Sequence, residues 1–339
     1  MYPYLRSLLF RLDPERVHGL TLQAIRLAGM LPPARAFLRA WFNVPRRPVQ
    51  AFGLTFSNPI GLAAGYDKDA LGWRGLACLG FGHIEVGTVT PRPQQGNPRP
   101  RLFRLPEDQA LINRMGFPGK GADFVLKNLE RRRPPGLVLG VNLGKNKDTP
   151  LEDAAQDYLA LMRKFAPAAD YLAINVSSPN TVGLRRLQAR DALEALLKVL
   201  VSERDSLHEQ SGKRTPLLLK LAPDLSETEL DDALQVSLEC SIDGLIATNT
   251  TLERDGLHSP RAKEAGGLSG APLGKRSLEI TRWICTRTEG RLPLISVGGI
   301  LSAADAIERL DAGAALVQVY TGLVYAGPAL PSQIVNNIR

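Results

Sequence analysis

Cysteine is scarce. Cys78, Cys240 and Cys285 are the only three in 339 residues, widely spaced and without a CxxC pair. A disulfide framework and a zinc site are both disfavoured, and a reducing compartment is favoured. No His, Cys or carboxylate group has metal-ligand spacing, so metal catalysis is not expected. No run approaches the roughly 18 consecutive apolar residues that cross a bilayer. The N-terminus lacks the apolar stretch and small-residue cleavage site of a secretory signal. No GxGxxG opens a first helix, which ranks an open doubly wound sheet low. What is present, 44% hydrophobic and 22% charged residues, is ample for a full core and ordinary for a soluble enzyme.

Positive charge is unevenly spread. Residues 1–50 hold eight arginines against Asp13 and Glu15, so this segment carries most of the net +8. The charge belongs to one small module, and no nucleic-acid partner is expected. Leu5, Leu8, Leu9 and Leu12 form one helical stripe. Asp13-Pro14 restarts a helix, with Asp as N-cap and Pro at the first helical position. Val17, Leu20, Ala24 and Leu27 continue a stripe that Gly29 and Pro32-Pro33 are expected to end. Ala34–Phe42 is a third short piece. Apolar stripes among arginines suit a helix in the lipid interface, and equally a helical cap packed on the main domain. Arg46-Arg47-Pro48 reads as a linker. The expected domains are residues 1–45, helical and membrane-associating, and residues 46–339.

From about residue 50 the pattern alternates. Short apolar runs at Pro59–Ala64, His83–Thr88, Leu137–Asn142, Tyr171–Val176, Leu217–Leu221, Gly244–Thr248, Leu294–Val297 and Leu316–Tyr320 read as strands. Helical stretches such as Glu152–Phe165, Ala192–Gln210, Glu227–Cys240, Ser277–Thr288 and Ala303–Asp311 separate most of them. Eight such alternations predict an α/β fold, a (β/α)8 TIM barrel. The insert at 89–136, rich in Pro, Gly and Arg, reads as a lid or binding loop.

Active sites of such barrels lie at the C-terminal strand ends. Asn175–Asn180 leaves a buried strand and at once presents two amides, two hydroxyls and a proline, a cluster for which packing has no use. Asn113, Asn142 and Asn249 lie at the same rim. An amide is both donor and acceptor, so it matches rings with alternating C=O and N–H groups, such as a flavin or a cyclic ureide. Glycines at Gly266–Gly270, Gly298-Gly299 and Gly322 suggest a phosphate site of exposed backbone N–H groups. Lys68 and Lys220 complete the rim. Lys220 reads either as half of a buried ion pair or as a cation beside a ring that gains negative charge.

These residues lie in the motifs GLAAGYDKDA (61–70), EVGTVTPRPQQGNPRPRLFRL (85–105), INRMGF (112–117), NLGKNKD (142–148), INVSSPNT (174–181), KLAPDLS (220–226), IATNTTL (246–252), GGLSG (266–270), SVGGI (296–300) and VQVYTG (317–322). With them the chain closely resembles dihydroorotate dehydrogenase of the membrane-associated, quinone-reducing class. The resemblance covers nearly the whole barrel, and the N-terminal helices match the extra domain of that class. It implies oxidation of dihydroorotate to orotate in de novo pyrimidine (UMP) biosynthesis, one FMN per chain, and a membrane quinone as electron acceptor. Ser178 would be the catalytic base, with Thr181 relaying its proton. Lys68, Asn113, Arg114, Met115, Gly116, Phe117, Asn175, Asn180, Asn249 and Thr250 would hold the substrate. Ala64, Gly65, Tyr66, Asp67, Lys68, Thr88, Asn142, Asn175, Lys220, Thr248, Gly270, Gly299, Tyr320 and Thr321 would hold FMN. His18, Arg104 and Tyr320 would line the quinone pocket.

The soluble class carries cysteine at the serine position, whereas the three cysteines here lie in helical stretches. That difference and the basic amphipathic N-terminus select the quinone class. The resemblance implies a peripheral enzyme, expected to be a monomer, bound through its N-terminal helices to the cytoplasmic face of a bacterial inner membrane. The lack of a recognisable presequence points the same way. A flavin-dependent tRNA reductase would share the barrel but want basic residues along a groove and a cysteine acid. A non-catalytic membrane-docked barrel leaves the polar rim without a purpose.

Overall fold

The computed structural model describes residues 2–338. Three helices open the chain: α1 (Tyr2–Leu9), α2 (Pro14–Met30) and α3 (Pro32–Trp41). Asp13 caps α2 as its sequence predicts, its carboxylate accepting the Arg16 N–H at 2.9 Å with Pro14 at the first position. Gly29 does not end α2. It lies inside the helix, and a Cβ there would stand 2.5 Å from the backbone nitrogen of Gly75. Gly72 and Gly75 meet the same helix, where Cβ atoms would stand 2.7 Å from Leu22 Cδ1 and 2.0 Å from the Ile25 carbonyl. The three glycines let α2 lie directly on the barrel helix Trp73–Leu76. Val17 and Leu22 are buried on that side, while Leu20 and Leu27 on the opposite face are 66% and 60% exposed. The helical module is therefore a cap on the barrel through one face, and it leaves a second apolar face uncovered.

The strands are β1 (Val49–Ala51), β2 (Leu54–Phe56), β3 (Ile60–Leu62), β4 (His83–Val89), β5 (Leu102–Leu105), β6 (Ala110–Asn113), β7 (Val138–Leu143), β8 (Tyr171–Asn175), β9 (Leu217–Leu221), β10 (Gly244–Ala247), β11 (Gly267–Gly270), β12 (Leu294–Val297) and β13 (Leu316–Val319). Eight close a parallel barrel in the order β3-β4-β7-β8-β9-β10-β12-β13, and they are the eight apolar runs read as strands. Both faces of these strands are covered, which is why they read as continuous rather than alternating apolar runs. Helices Ala154–Phe165, Arg190–Ser211, Glu227–Glu239, Gly274–Thr288 and Ala303–Asp311 fall on the expected stretches. Ser226 with Glu229 and Ser302 with Asp305 form capping boxes at two of them. The hairpin β1–β2 brings Phe52 and Phe56 against inward residues Val138, Tyr171, Leu218, Ile246, Ile295 and Leu316, closing the N-terminal end of the barrel.

Two connecting segments carry strands of their own. The 89–136 insert carries β5 and β6, which pair antiparallel, and the helix Ala122–Leu129. Gly266–Gly270, expected to offer backbone N–H groups to a phosphate, carries β11 (Gly267–Gly270), which pairs antiparallel with β6. Small side chains suit this strand: a Cβ at Gly267 would stand 1.9 Å from Thr250 Oγ1. Together β11, β6 and β5 form a three-stranded sheet at the C-terminal mouth of the barrel.

Candidate active site

A cavity occupies that mouth. Ser178 borders it, together with Lys68, Asn113, Met115, Gly116, Phe117, Asn175, Asn180, Asn249 and Thr250 from the expected substrate residues. Ala64, Gly65, Thr88, Lys220, Thr248, Gly270, Gly299, Tyr320 and Thr321 border it as well. Glu15 and His18 reach the same space from α2.

The five rim asparagines fall into two hydrogen-bonded groups, Asn142–Asn175–Asn249 and Asn113–Asn180. Asn142 accepts from Thr88 Oγ1 at 2.6 Å and from Asn175 Nδ2 at 3.1 Å. Asn175 Oδ1 accepts the Ser177 hydroxyl at 3.1 Å and Asn249 Nδ2 at 3.3 Å. Asn249 also donates to Ser177 Oγ at 3.0 Å. Across the cavity Asn180 Nδ2 donates to Asn113 Oδ1 at 3.2 Å. Ser177 is fully buried and engaged on both sides, whereas Ser178, one residue on, faces the cavity.

Lys68 donates to the Gly65 carbonyl at 2.6 Å. Burial lowers its pKa to about 8, against the attraction of Asp69. Lys220 lies 3.5 Å from Glu85 Oε1, so it is half of a buried ion pair and also borders the cavity. Glu85 was not among the expected site residues, although one charge within an apolar strand is the same signal that singled out Lys220. It accepts from Asn142 Nδ2 at 2.8 Å, Tyr171 Oη at 3.1 Å and Gln318 Nε2 at 3.0 Å. Gln318, also missed, borders the cavity.

Other expected residues lie off the main cavity. Asn142 sits behind Thr88 and orients it. Asp67 accepts the N–H groups of Leu71 and Gly72 at 2.7 and 2.8 Å, holding the loop that carries Lys68. Burial raises its pKa to about 6. Arg114 pairs with Glu264 at 2.8 Å and lies over the Phe103 ring. Thr181 is buried and borders neither cavity described here. The Tyr66 ring packs edge-on against His18 and Tyr320, with centroids 5.0 and 5.6 Å apart.

A second, smaller cavity adjoins the first, and His18 and Tyr320 border both. Tyr66, Thr21 and Arg104 line it, with Leu9 and Phe10. Arg104 donates to the Leu12 carbonyl at 2.8 Å and the Leu9 carbonyl at 3.3 Å, at the C-terminal end of α1, and lies over the Phe10 ring. Burial lowers the His18 pKa to about 4, so the imidazole is neutral near pH 7. Glu15 ties α2 to the loop before β5 through Arg101 at 2.8 Å and Arg99 at 2.9 Å.

The family model described as dihydroorotate dehydrogenase matches residues 48–339. The dihydroorotate dehydrogenase (quinone) of Stenotrophomonas maltophilia (strain K279a) is 50% identical over 343 residues, covering 100% of this chain and 96% of that protein. Its counterpart in Roseiflexus sp. (strain RS-1) is 52% identical over 337 residues, covering 98% and 92%. The crystal structure of DHODH from Eimeria tenella in complex with ferulenol superposes with a TM-score of 0.88 at 41% identity, covering 96% of this chain and 90% of that one. A barrel matched over its whole length, joined to N-terminal helices that the full-length relatives share, places this chain in the dihydroorotate dehydrogenase family, within the quinone-dependent class.

Proposed function

We propose that the chain oxidises dihydroorotate to orotate, a step of de novo pyrimidine biosynthesis, and passes the two electrons by way of one bound FMN to a membrane quinone. The observation that carries this reading is Ser178 on the wall of a cavity that it shares with the amides of Asn113, Asn175, Asn180 and Asn249 and with Lys68.

The residues fit FMN. Gly298 and Gly299 adopt φ of +118° and +73° after β12, and Cβ atoms there would stand 3.0 Å from Leu273 Cδ2 and 2.1 Å from Gly274 Cα. Glycine is required for that approach, which seats the turn on the start of the helix Gly274–Thr288, and a phosphate would sit where Gly299 and Thr321 border the cavity. Ala64, Gly65, Thr88, Asn175, Lys220, Thr248, Gly270 and Tyr320 would hold the remainder, with Tyr66, Asp67 and Asn142 supporting from behind. When bound, FMN supplies the acceptor for the C6 hydride of the substrate.

Ser178 would take the C5 proton, so that the C5–C6 bond of dihydroorotate becomes the double bond of orotate. A serine hydroxyl is a weak base and needs stabilised product charge and an exit for its proton. Lys68 would hold the substrate carboxylate, and Asn175, Asn180, Asn113 and Asn249 the ureide edge. Met115, Gly116, Phe117 and Thr250 would shape the pocket, and Arg114 would brace it through Glu264. Thr181 is proposed to carry the proton onward; Thr181→Val should slow flavin reduction, and a rate equal to that of the parent removes it from the route.

The second cavity would receive the quinone headgroup, with neutral His18, Arg104 and Tyr320 around it. Residues 1–45 would form the membrane-associating and quinone-entry domain, and residues 46–339 the catalytic barrel. We place the enzyme as a monomer at the cytoplasmic face of a bacterial inner membrane. Anaerobic addition of dihydroorotate should bleach the flavin, and quinones of increasing tail length should reoxidise it. A flavin that dihydroorotate leaves oxidised overturns the assignment.

A further inference from the structure

Gln318 on β13 is fully buried, and its amide has one possible orientation. The Glu85 carboxylate can only accept, so the Gln318 NH2 must face it, at 3.0 Å. The second hydrogen of that NH2 reaches Tyr171 Oη at 3.3 Å, and the Tyr171 proton goes to Glu85 at 3.1 Å. Both donors of Gln318 are thereby engaged. Its Oε1 is buried with no partner, although the residue borders the main cavity. The neighbouring amide acceptors are occupied. Asn142 Oδ1 serves Thr88 and Asn175, and Asn175 Oδ1 serves Ser177 and Asn249.

We propose that Gln318 holds the cofactor, presenting Oε1 to the ring N–H of the flavin pyrimidine, and that Glu85 is the positioning residue that fixes the amide's direction. The inference rests on the FMN reading above. The pyrimidine edge of a flavin has a single N–H, at N3, between two carbonyls. A free acceptor and the Lys220 cation, both side chains held on Glu85, match that edge, because one supplies what the N–H needs and the other what a carbonyl needs.

The test titrates the flavin-free full chain with FMN and with N3-methyl-FMN, which lacks the N–H. The parent should prefer FMN by several-fold to about tenfold, the span of one neutral hydrogen bond. In Gln318→Met, close in shape but without the acceptor, the two flavins should bind alike. Glu85→Gln, which frees the amide to turn, should shrink the preference as well. Equal binding of both flavins by the parent overturns the proposal, because an ordered water is then the partner of Oε1. A preference undiminished in Gln318→Met also overturns it, since the methyl group is then excluded by bulk alone. If Gln318→Met does not fold, Glu85→Gln decides by the same comparison. A parent chain that binds neither flavin refutes the FMN reading itself, a distinct result.

Discussion

The backbone N–H of Asn180 donates to Ser178 Oγ at 3.3 Å, across the proline that separates them. This contact occupies one lone pair of Ser178 and leaves its proton and second lone pair to the cavity. Ser177 differs, since its hydroxyl is engaged by both Asn175 and Asn249. Ser178→Ala should therefore slow anaerobic flavin reduction by about 10²- to 10⁴-fold, the usual worth of a positioned base. Ser177→Ala should cost roughly tenfold or less, by loosening two amides. Stopped-flow absorbance reads both, and a larger loss in Ser177→Ala would reverse the assignment of the base.

Lys68 gives the site a pH dependence of definite sign. Burial lowers its pKa to about 8, so the ammonium is charged below that pH and lost above it. Orotate is an anion throughout this range, so its affinity should be flat below about pH 7 and weaken toward tenfold per unit above about 8. Flavin difference spectra during orotate titration measure this. Lys68→Met should bind orotate weakly and without that alkaline limb. If the limb persists in the variant, another group is responsible.

The eight strands were legible because a barrel strand covered on both faces must be apolar throughout. The α2 start was legible because its cap is local, with Asp13, Pro14 and the first turn lying within four residues. Long-range contacts were not. Nothing near Glu85 in the chain announces that residues 142, 171, 220 and 318 converge on it. The expectation that Gly29 would end α2 failed for a related reason. Glycine's low helix propensity was outweighed by a backbone approach to Gly75 that no larger residue permits. Gly267–Gly270 became a strand because its partner, β6, lies about 150 residues earlier in the chain. The apolar stripes of α1 and α2 were visible, but which stripe faces the barrel depends on that docking.

Gly29 provides a direct test of the docking. In Gly29→Val the side chain meets backbone rather than a flexible tip, so α2 must lift from Trp73–Leu76. The expected cost is about 1–3 kcal/mol of stability, the range for overpacking. Because Glu15 and His18 ride on α2, turnover with quinone should fall further than flavin reduction by dihydroorotate. Thermal unfolding and the two half-reactions, measured separately, resolve these effects. Gly19→Ala is the control: it lies in the same helix, and its Cβ meets nothing within 4 Å. Helix propensity predicts a gain of up to about 1 kcal/mol there. Equal losses in the two variants would mean that Gly29 is not a contact point.

The uncovered face of the helical module supports the last prediction. Leu8 and Leu20 are exposed by 60% and 66%, Phe37 and Trp41 by 62% and 71%, on a segment rich in arginine. None of these four borders either cavity. An apolar face of this kind enters the headgroup boundary, and the arginines add attraction to anionic lipid that salt screens. Each large apolar side chain removed from water is worth about 1.5–3 kcal/mol when fully buried, so two acidic replacements should lower vesicle partitioning by tenfold or more. Leu20→Glu with Phe37→Glu should thus leave the protein in solution when vesicles of mixed neutral and anionic phospholipid are floated. Flavin reduction by dihydroorotate should remain at the parental rate, since neither Leu20 nor Phe37 borders a cavity. Reoxidation by a short-tailed, water-soluble quinone should also survive, while turnover with a long-tailed quinone held in the vesicles should fall in step with binding. Unchanged flotation of the double variant would show that this face does not meet the lipid.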